Sequence, residues 1–267
     1  MIKKVVIEID GINYTLPEVI TVSHYGEMMR RMSLSDDMID KAHDVIGVLL
    51  GIPYTILREL DKEKMTELSL YLQNKVTECE VEYIPSFKFK DVKYGGLVLN
   101  KMTFGEYIDI LSLMKDELSI YININKICSI LYRPEISKGK IKPYDLDEHE
   151  EQSIVFQDLP LNYFFGAFKN LFSYLNQTRK DFVVLFGEED DQPPIQYDED
   201  DNKIEEEKSN LPWYKMIMTL TNEDFTKIDY VTGRSVVECF NHLTYIKIKN
   251  EDLKQQALQQ QNKMNLL

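Results

Sequence analysis

The segment IDGINY at residues 9–14 returns as FKDVKY at residues 89–94, and each copy leads into a helix-opening stretch built on Thr-apolar-x-x-Tyr. Ile9, Ile12 and Tyr14 match Phe89, Val92 and Tyr94 at an offset of 80, while Thr21, Val22 and Tyr25 match Thr103, Phe104 and Tyr107 at an offset of 82. Val45, Leu49 and Pro53 then fall opposite Ile127, Leu131 and Pro134, so an apolar helical stripe ending near a proline recurs as well. A repeated supersecondary unit constrains the fold strongly, because stacked copies extend a surface more readily than they build one asymmetric pocket. A scaffold or binding architecture is expected.

Local signals fill in the two copies. Asp10-Gly11 between alternating β-branched and polar residues predicts a two-residue hairpin. Ser23 is placed to cap the helix HYGEMMRRM, and Ser35 the next one, in which Met38, Ile39, Ala42, Val45, Ile46, Leu49 and Leu50 form one apolar stripe. Gly51 and Pro53 stop that helix. A helical turn at YTILREL and a helix over 62–79 complete the first copy, residues 1–80. The second copy, residues 83–187, repeats the hairpin through SFKFKDVKY, with Gly95-Gly96 read as turn residues. Thr103 and Glu106 have capping-box spacing. Residues 119–132 read as the next helix, 135–153 as a charged insertion forming a solvated acidic loop around His149, 160–175 as an aromatic helix and 181–186 as its extension. The expected fold class is α+β, mainly α: two tandem β-hairpin-plus-helices units, then a C-terminal helical segment over 211–267. Within that segment Trp213, Ile217 and Leu220 form one stripe, and Val236, Val237, Phe240, Leu243 and Ile246 another. The last residues, LKQQALQQQNKMNLL, read as an extended or partner-stabilised tail.

Charge excludes some functions. The formal net charge is −14, and residues 188–210 alone hold 11 acidic against 2 basic side chains, so one stretch carries −9 of it. High charge with low hydrophobicity predicts a flexible acidic segment between the second unit and the C-terminal helices. With no basic stripe to release counterions from phosphates, direct nucleic-acid binding is not expected. Cys79, Cys128 and Cys239 are odd in number and widely spaced, as expected for buried thiols in a reducing compartment. No apolar run reaches the length of a membrane span, so no membrane association is expected.

Nothing in the sequence sets up bond chemistry. His24, His43, His149 and His242 lack a second ligand or nucleophile at a recurring spacing, and phosphate-cradling glycine loops are missing. No catalytic residue, metal site or cofactor is expected. The concentrated feature is aromatic: Tyr163, Phe164, Phe165, Phe168 and Phe172 on one helix, and Trp213 with Tyr214 after the acidic stretch. These rings either pack beneath the hairpins as core or form a face that grips another polypeptide.

Three stretches carry a resemblance: the opening VVIEIDGINYTLPEVITVSHYGEMMR, the second-copy MTFGEYIDI, and the ending PWYKMIMTLTNEDFTKIDYVTGRSVVECFNHLTYIKIKNEDLKQQ. Together they resemble the tail assembly chaperones and baseplate-hub assembly proteins of tailed bacteriophages. The resemblance covers about half the chain and does not reach residues 135–153 or the acidic segment. It implies a non-enzymatic phage morphogenesis protein that binds an extended helical client such as the tape measure in the host cytoplasm. The alternative is a minor structural protein retained in the virion, in the tail, baseplate or capsid-associated cargo. Its partners would be other phage assembly or virion proteins.

Overall fold

The computed structural model describes residues 6–9, 11–15, 17–34, 37–57, 62–77, 82–187 and 211–264. The fold is α+β and mainly helical, with two tandem hairpin-plus-helices stretches and a C-terminal helical segment. Strands β1 (Val6–Ile9) and β2 (Ile12–Thr15) pair antiparallel with Ile9 opposite Ile12. Helices α1 (Val22–Leu34), α2 (Met38–Leu50), α3 (Tyr54–Leu57) and α4 (Lys62–Thr77) follow. Eighty residues on, β3 (Ser86–Phe89) and β4 (Val92–Gly96) repeat the register, with Phe89 opposite Val92. The turn between them places Lys90 and Asp91 at φ of 45° and 66°. Positive φ at both central residues gives the twist that a two-residue hairpin requires.

The second stretch continues through α5 (Phe104–Leu113), α6 (Glu117–Ile122) and α7 (Ile124–Leu131). Next come β5 (Tyr132–Ser137), β6 (Lys140–Ile141), α8 (Leu146–Val155), α9 (Leu161–Asp181) and α10 (Val183–Phe186). The C-terminal segment comprises α11 (Leu211–Thr221), α12 (Ile228–Thr232) and α13 (Val236–Met264). Strands β3 to β6 form one antiparallel sheet in sequence order.

Several local expectations change. The helix expected over 119–132 is two helices, broken at Asn123, whose side-chain amide donates to the Ser119 carbonyl at 2.9 Å. The insertion at 135–153 is ordered as β5, β6 and α8, and Asp145 caps α8 by accepting from the Glu148 N–H. Gly95 and Gly96 are strand residues: a Cβ at Gly95 would come within 2.7 Å of Ile141 Cγ2, and one at Gly96 would run into the Tyr83 ring. Thr21, and not Ser23, caps α1. Its hydroxyl accepts from the His24 N–H at 3.3 Å, while His24 Nδ1 accepts from the Thr21 N–H at 3.4 Å. Thr103 and Glu106 make the same reciprocal pair at the start of α5, at 3.2 and 2.7 Å. His24 therefore takes, 82 residues earlier, the part that Glu106 plays in the second copy. Gly51 ends α2 at φ 66°, the left-handed stop expected of it. Ser35, Cys79 and the acidic segment 188–210 lie outside the described residues.

The chain forms two compact units, one from residues 1–97 and 113–170, the other from 98–112 and 171–267. The stretch 98–112, assigned by sequence to the second hairpin unit, thus belongs with the C-terminal helices. Its aromatic residues account for this: in the second unit, Phe240 is enclosed edge-on by Phe104, Tyr107, Phe182 and Phe186 at centroid distances of 5.2 to 5.7 Å. The first unit has its own aromatic centre, where Phe87 meets Tyr132 at 4.9 Å and Tyr163 at 4.1 Å. Tyr132, fully buried, donates its hydroxyl to the Ile84 carbonyl at 2.9 Å.

Each unit also joins two helix starts in one way. In the first, the Val22 N–H donates to the Leu159 carbonyl at 2.8 Å and the Leu161 N–H to the Ile20 carbonyl at 2.9 Å. In the second, Phe104 donates to Arg234 at 2.7 Å and Val236 to Met102 at 3.1 Å. The first N–H groups of a helix have no partner inside it, so a single antiparallel bridge satisfies them and fixes the two helix starts together. By this measure the starts of α9 and α13 occupy corresponding positions in their units.

Candidate binding surface

The aromatic helix α9 begins as core. Tyr163 lies against Phe87, Phe164 is buried and stacks on Phe168 at 4.9 Å, and Phe165 meets Tyr25 edge-on at 5.2 Å. Gly166 lets a neighbouring backbone approach the helix, since a Cβ there would fall on the Glu82 carbonyl and come within 2.7 Å of Tyr83 N. Phe172, further along, is 52% exposed.

On α11, adjacent residues part in the same way. Trp213 is half-buried in the second unit, edge-on to Tyr107 at 5.8 Å and to Phe104 at 6.5 Å, whereas Tyr214 is exposed. Of the seven aromatic residues singled out by sequence, the structure therefore leaves Phe172 and Tyr214 outward and packs the others to varying depth.

Three further exposed rings were missed: Phe225, Tyr230 on α12 and Tyr245 on α13. Among the described side chains, every exposed aromatic belongs to the second unit. The signal for Tyr245 was present in the sequence. It lies five residues past Phe240, about 140° around a helix, and so points away from the face that Phe240 buries. Val237, expected on the buried stripe, is 40% exposed on that outward side.

The titratable groups have structural surroundings. His149 is not in a solvated loop but buried on α8, where its Nδ1 shares a hydrogen bond with Ser129 Oγ of α7. Ser129 also donates to the Lys126 carbonyl at 2.8 Å. The space beside the pair is about 10 Å³, the volume of about one water. Burial pulls the His149 pKa below the ordinary value, against the opposing pull of Glu150. Burial also lowers that of His24, against Asp158. His43 is buried on α2, and His242 is exposed and stacked on Tyr245. Cys128 and Cys239 are buried free thiols whose pKa values burial raises, that of Cys239 to about 11. A thiol held protonated is a poor nucleophile and metal ligand. Among the described residues, no group of three or more His, Cys, Asp or Glu is placed to hold a metal ion, and no helix is long and apolar enough to cross a membrane. In comparisons with family models, curated proteins and solved structures, nothing matches this chain.

Proposed function

We propose that this is a non-enzymatic binding protein of bacteriophage morphogenesis, a tail assembly chaperone that holds an extended helical client such as the tape measure. One observation supports the binding role above the others: the exposed aromatics Phe172, Tyr214, Phe225, Tyr230 and Tyr245 all lie in residues 171–267. Exposed rings contribute large contact area at low entropic cost and recur at protein interfaces, whereas a core gains nothing from them. The phage setting rests on the resemblance of the opening, the second copy and the ending to tail assembly proteins.

Co-expression with a tape-measure protein of a tailed bacteriophage, followed by affinity purification, tests this reading. The expected result is a stable complex that Tyr214→Ala and Tyr245→Ala weaken without loss of helicity. Elution of the two proteins apart at micromolar concentration would refute the client role. Mass spectrometry of purified particles separates the chaperone from the structural alternative, because a chaperone is missing from finished particles.

A further inference from the structure

Burial falls away along one seam of α13. Val236, Cys239 and Leu243 are buried and Ile246 is half-buried, but Asn250, Leu253, Ala257 and Gln260, which continue the same alternation of steps of three and four, are exposed. That alternation is the a/d pattern of a coiled-coil seam. All side chains from Lys247 to Asn262 are exposed, Leu253 at 53%. This stretch extends roughly 24 Å at 1.5 Å per residue. Its inner end opens on a groove of about 370 Å³ in the second unit, with Leu185, Met216, Leu243 and Ile246 as its apolar lining.

Charge selects the occupant. Lys247 and Lys254 occupy the e positions beside the seam, and Lys249 one of the g positions. Asp252 lies on the far side of the helix, and Glu251 reaches the rim of the groove. Lys247 also donates to the Val184 carbonyl, which leaves Lys249 and Lys254 as the main flanking charges. In a parallel pair of two copies, Lys249 of each chain faces Lys254 of the other, so self-association meets like charges. A helix with carboxylates at its own e and g positions meets the opposite sign.

We propose that α13 from Ile246 to Gln260 docks an acidic amphipathic helix of a partner polypeptide. Its apolar residues would cover Leu253, Ala257 and the groove, its carboxylates would face Lys249 and Lys254, and a side-chain amide would meet Asn250. A polar residue at one a position fixes register and number of strands. The inference rests on the binding role proposed above, but not on the identity of the client.

The test uses the full chain and two fluorescein-labelled four-heptad peptides, each with a Leu/Ile seam and one Asn at an a position. One carries Glu at every e and g position, the other Lys. By anisotropy at low salt, the Glu peptide should bind about tenfold tighter than the Lys peptide, a difference that shrinks as salt screens the exposed pairs. K249E/K254E should reverse the preference, and L253N should weaken both peptides. Far-UV circular dichroism should stay unchanged in both variants, since these side chains are exposed. Equal binding of the two peptides, or undiminished binding by L253N, would overturn the proposal. So would concentration-dependent dimerisation abolished by L253N, which would make a second copy the occupant. Peptide discrimination and tape-measure co-purification are separate readouts, so failure of one does not mimic failure of the other.

Discussion

Phe240→Ala should destabilise the second unit severely, and the chain carries its own reporter of that loss. Phe240 is fully buried, with Phe104, Tyr107, Phe182 and Phe186 set edge-on around it, so removing its ring opens a cavity walled by rigid rings. Truncating a buried Phe costs about 3–5 kcal/mol, a range that already includes lost ring contacts. With a urea m-value of about 2 kcal/mol/M, typical of a small unit, the unfolding midpoint falls by about 2 M. Trp213, the only tryptophan, lies edge-on to Tyr107 and Phe104, so its emission reports this unit. Urea titration followed by Trp213 fluorescence is therefore the assay, with Phe240→Leu as the control. Leu refills much of the volume and should cost about 1–1.5 kcal/mol. A midpoint for Phe240→Ala within about 0.5 M of the parent, at unchanged slope, would show that the aromatic enclosure contributes little. Equal effects of Ala and Leu would mean that shape is not what matters.

Other consequences follow from the same geometry. Gly166→Ala forces the 82–83 backbone away from α9 and should cost about 1–3 kcal/mol, read as a lower thermal midpoint in far-UV circular dichroism; an unchanged midpoint would show that this approach is not tight. Phe165→Ala, removing a half-buried ring set edge-on to Tyr25, should lower stability, while Phe172→Ala should leave it nearly unchanged; the reverse order would contradict the assigned burial. His24 and His149 both have folded pKa values lowered by burial, so the unfolded chain takes up their protons first. Their stabilising effect is then complete above about pH 6.5 and lost as pH falls from there through the folded values. Urea midpoints should decline from pH 7.5 to 5.5, less steeply in His149→Gln, and a flat profile would count against both. Glu27, held near 2 mainly by Arg30, acts in a lower window: its contribution is present above about pH 4.5 and lost as pH falls toward 2.

Much of the fold was legible because local rules decided it. The first hairpin with Ile9 opposite Ile12, the Thr103–Glu106 capping box and the Gly51 stop each depend on neighbours within a few residues, and these features appear as read. Apart from the α1 cap and the break at Asn123, which are local, the failures involve partners distant in sequence. His149 looked solvated because its neighbours are acidic, yet it is buried by Ser129, twenty residues upstream. Gly95-Gly96 looked like a turn, but the small residues are required by Ile141 and Tyr83. The candidate rings divide for a similar reason, since aromatic content does not specify which face of a helix meets the sheet.

The sequence by itself determined that the chain duplicates a hairpin and a capped helix start, because turn chemistry, capping and periodicity are written within each copy. Only the tertiary structure decided what each copy pairs with. Thr21 is bridged to the start of α9, and Thr103 to the start of α13. Those contacts span more than 130 residues and involve backbone groups, which carry no side-chain signature. The same limit applies to α13: its heptad spacing can be read from the sequence, but where the rest of the unit stops covering it depends on how far α10 and α11 reach.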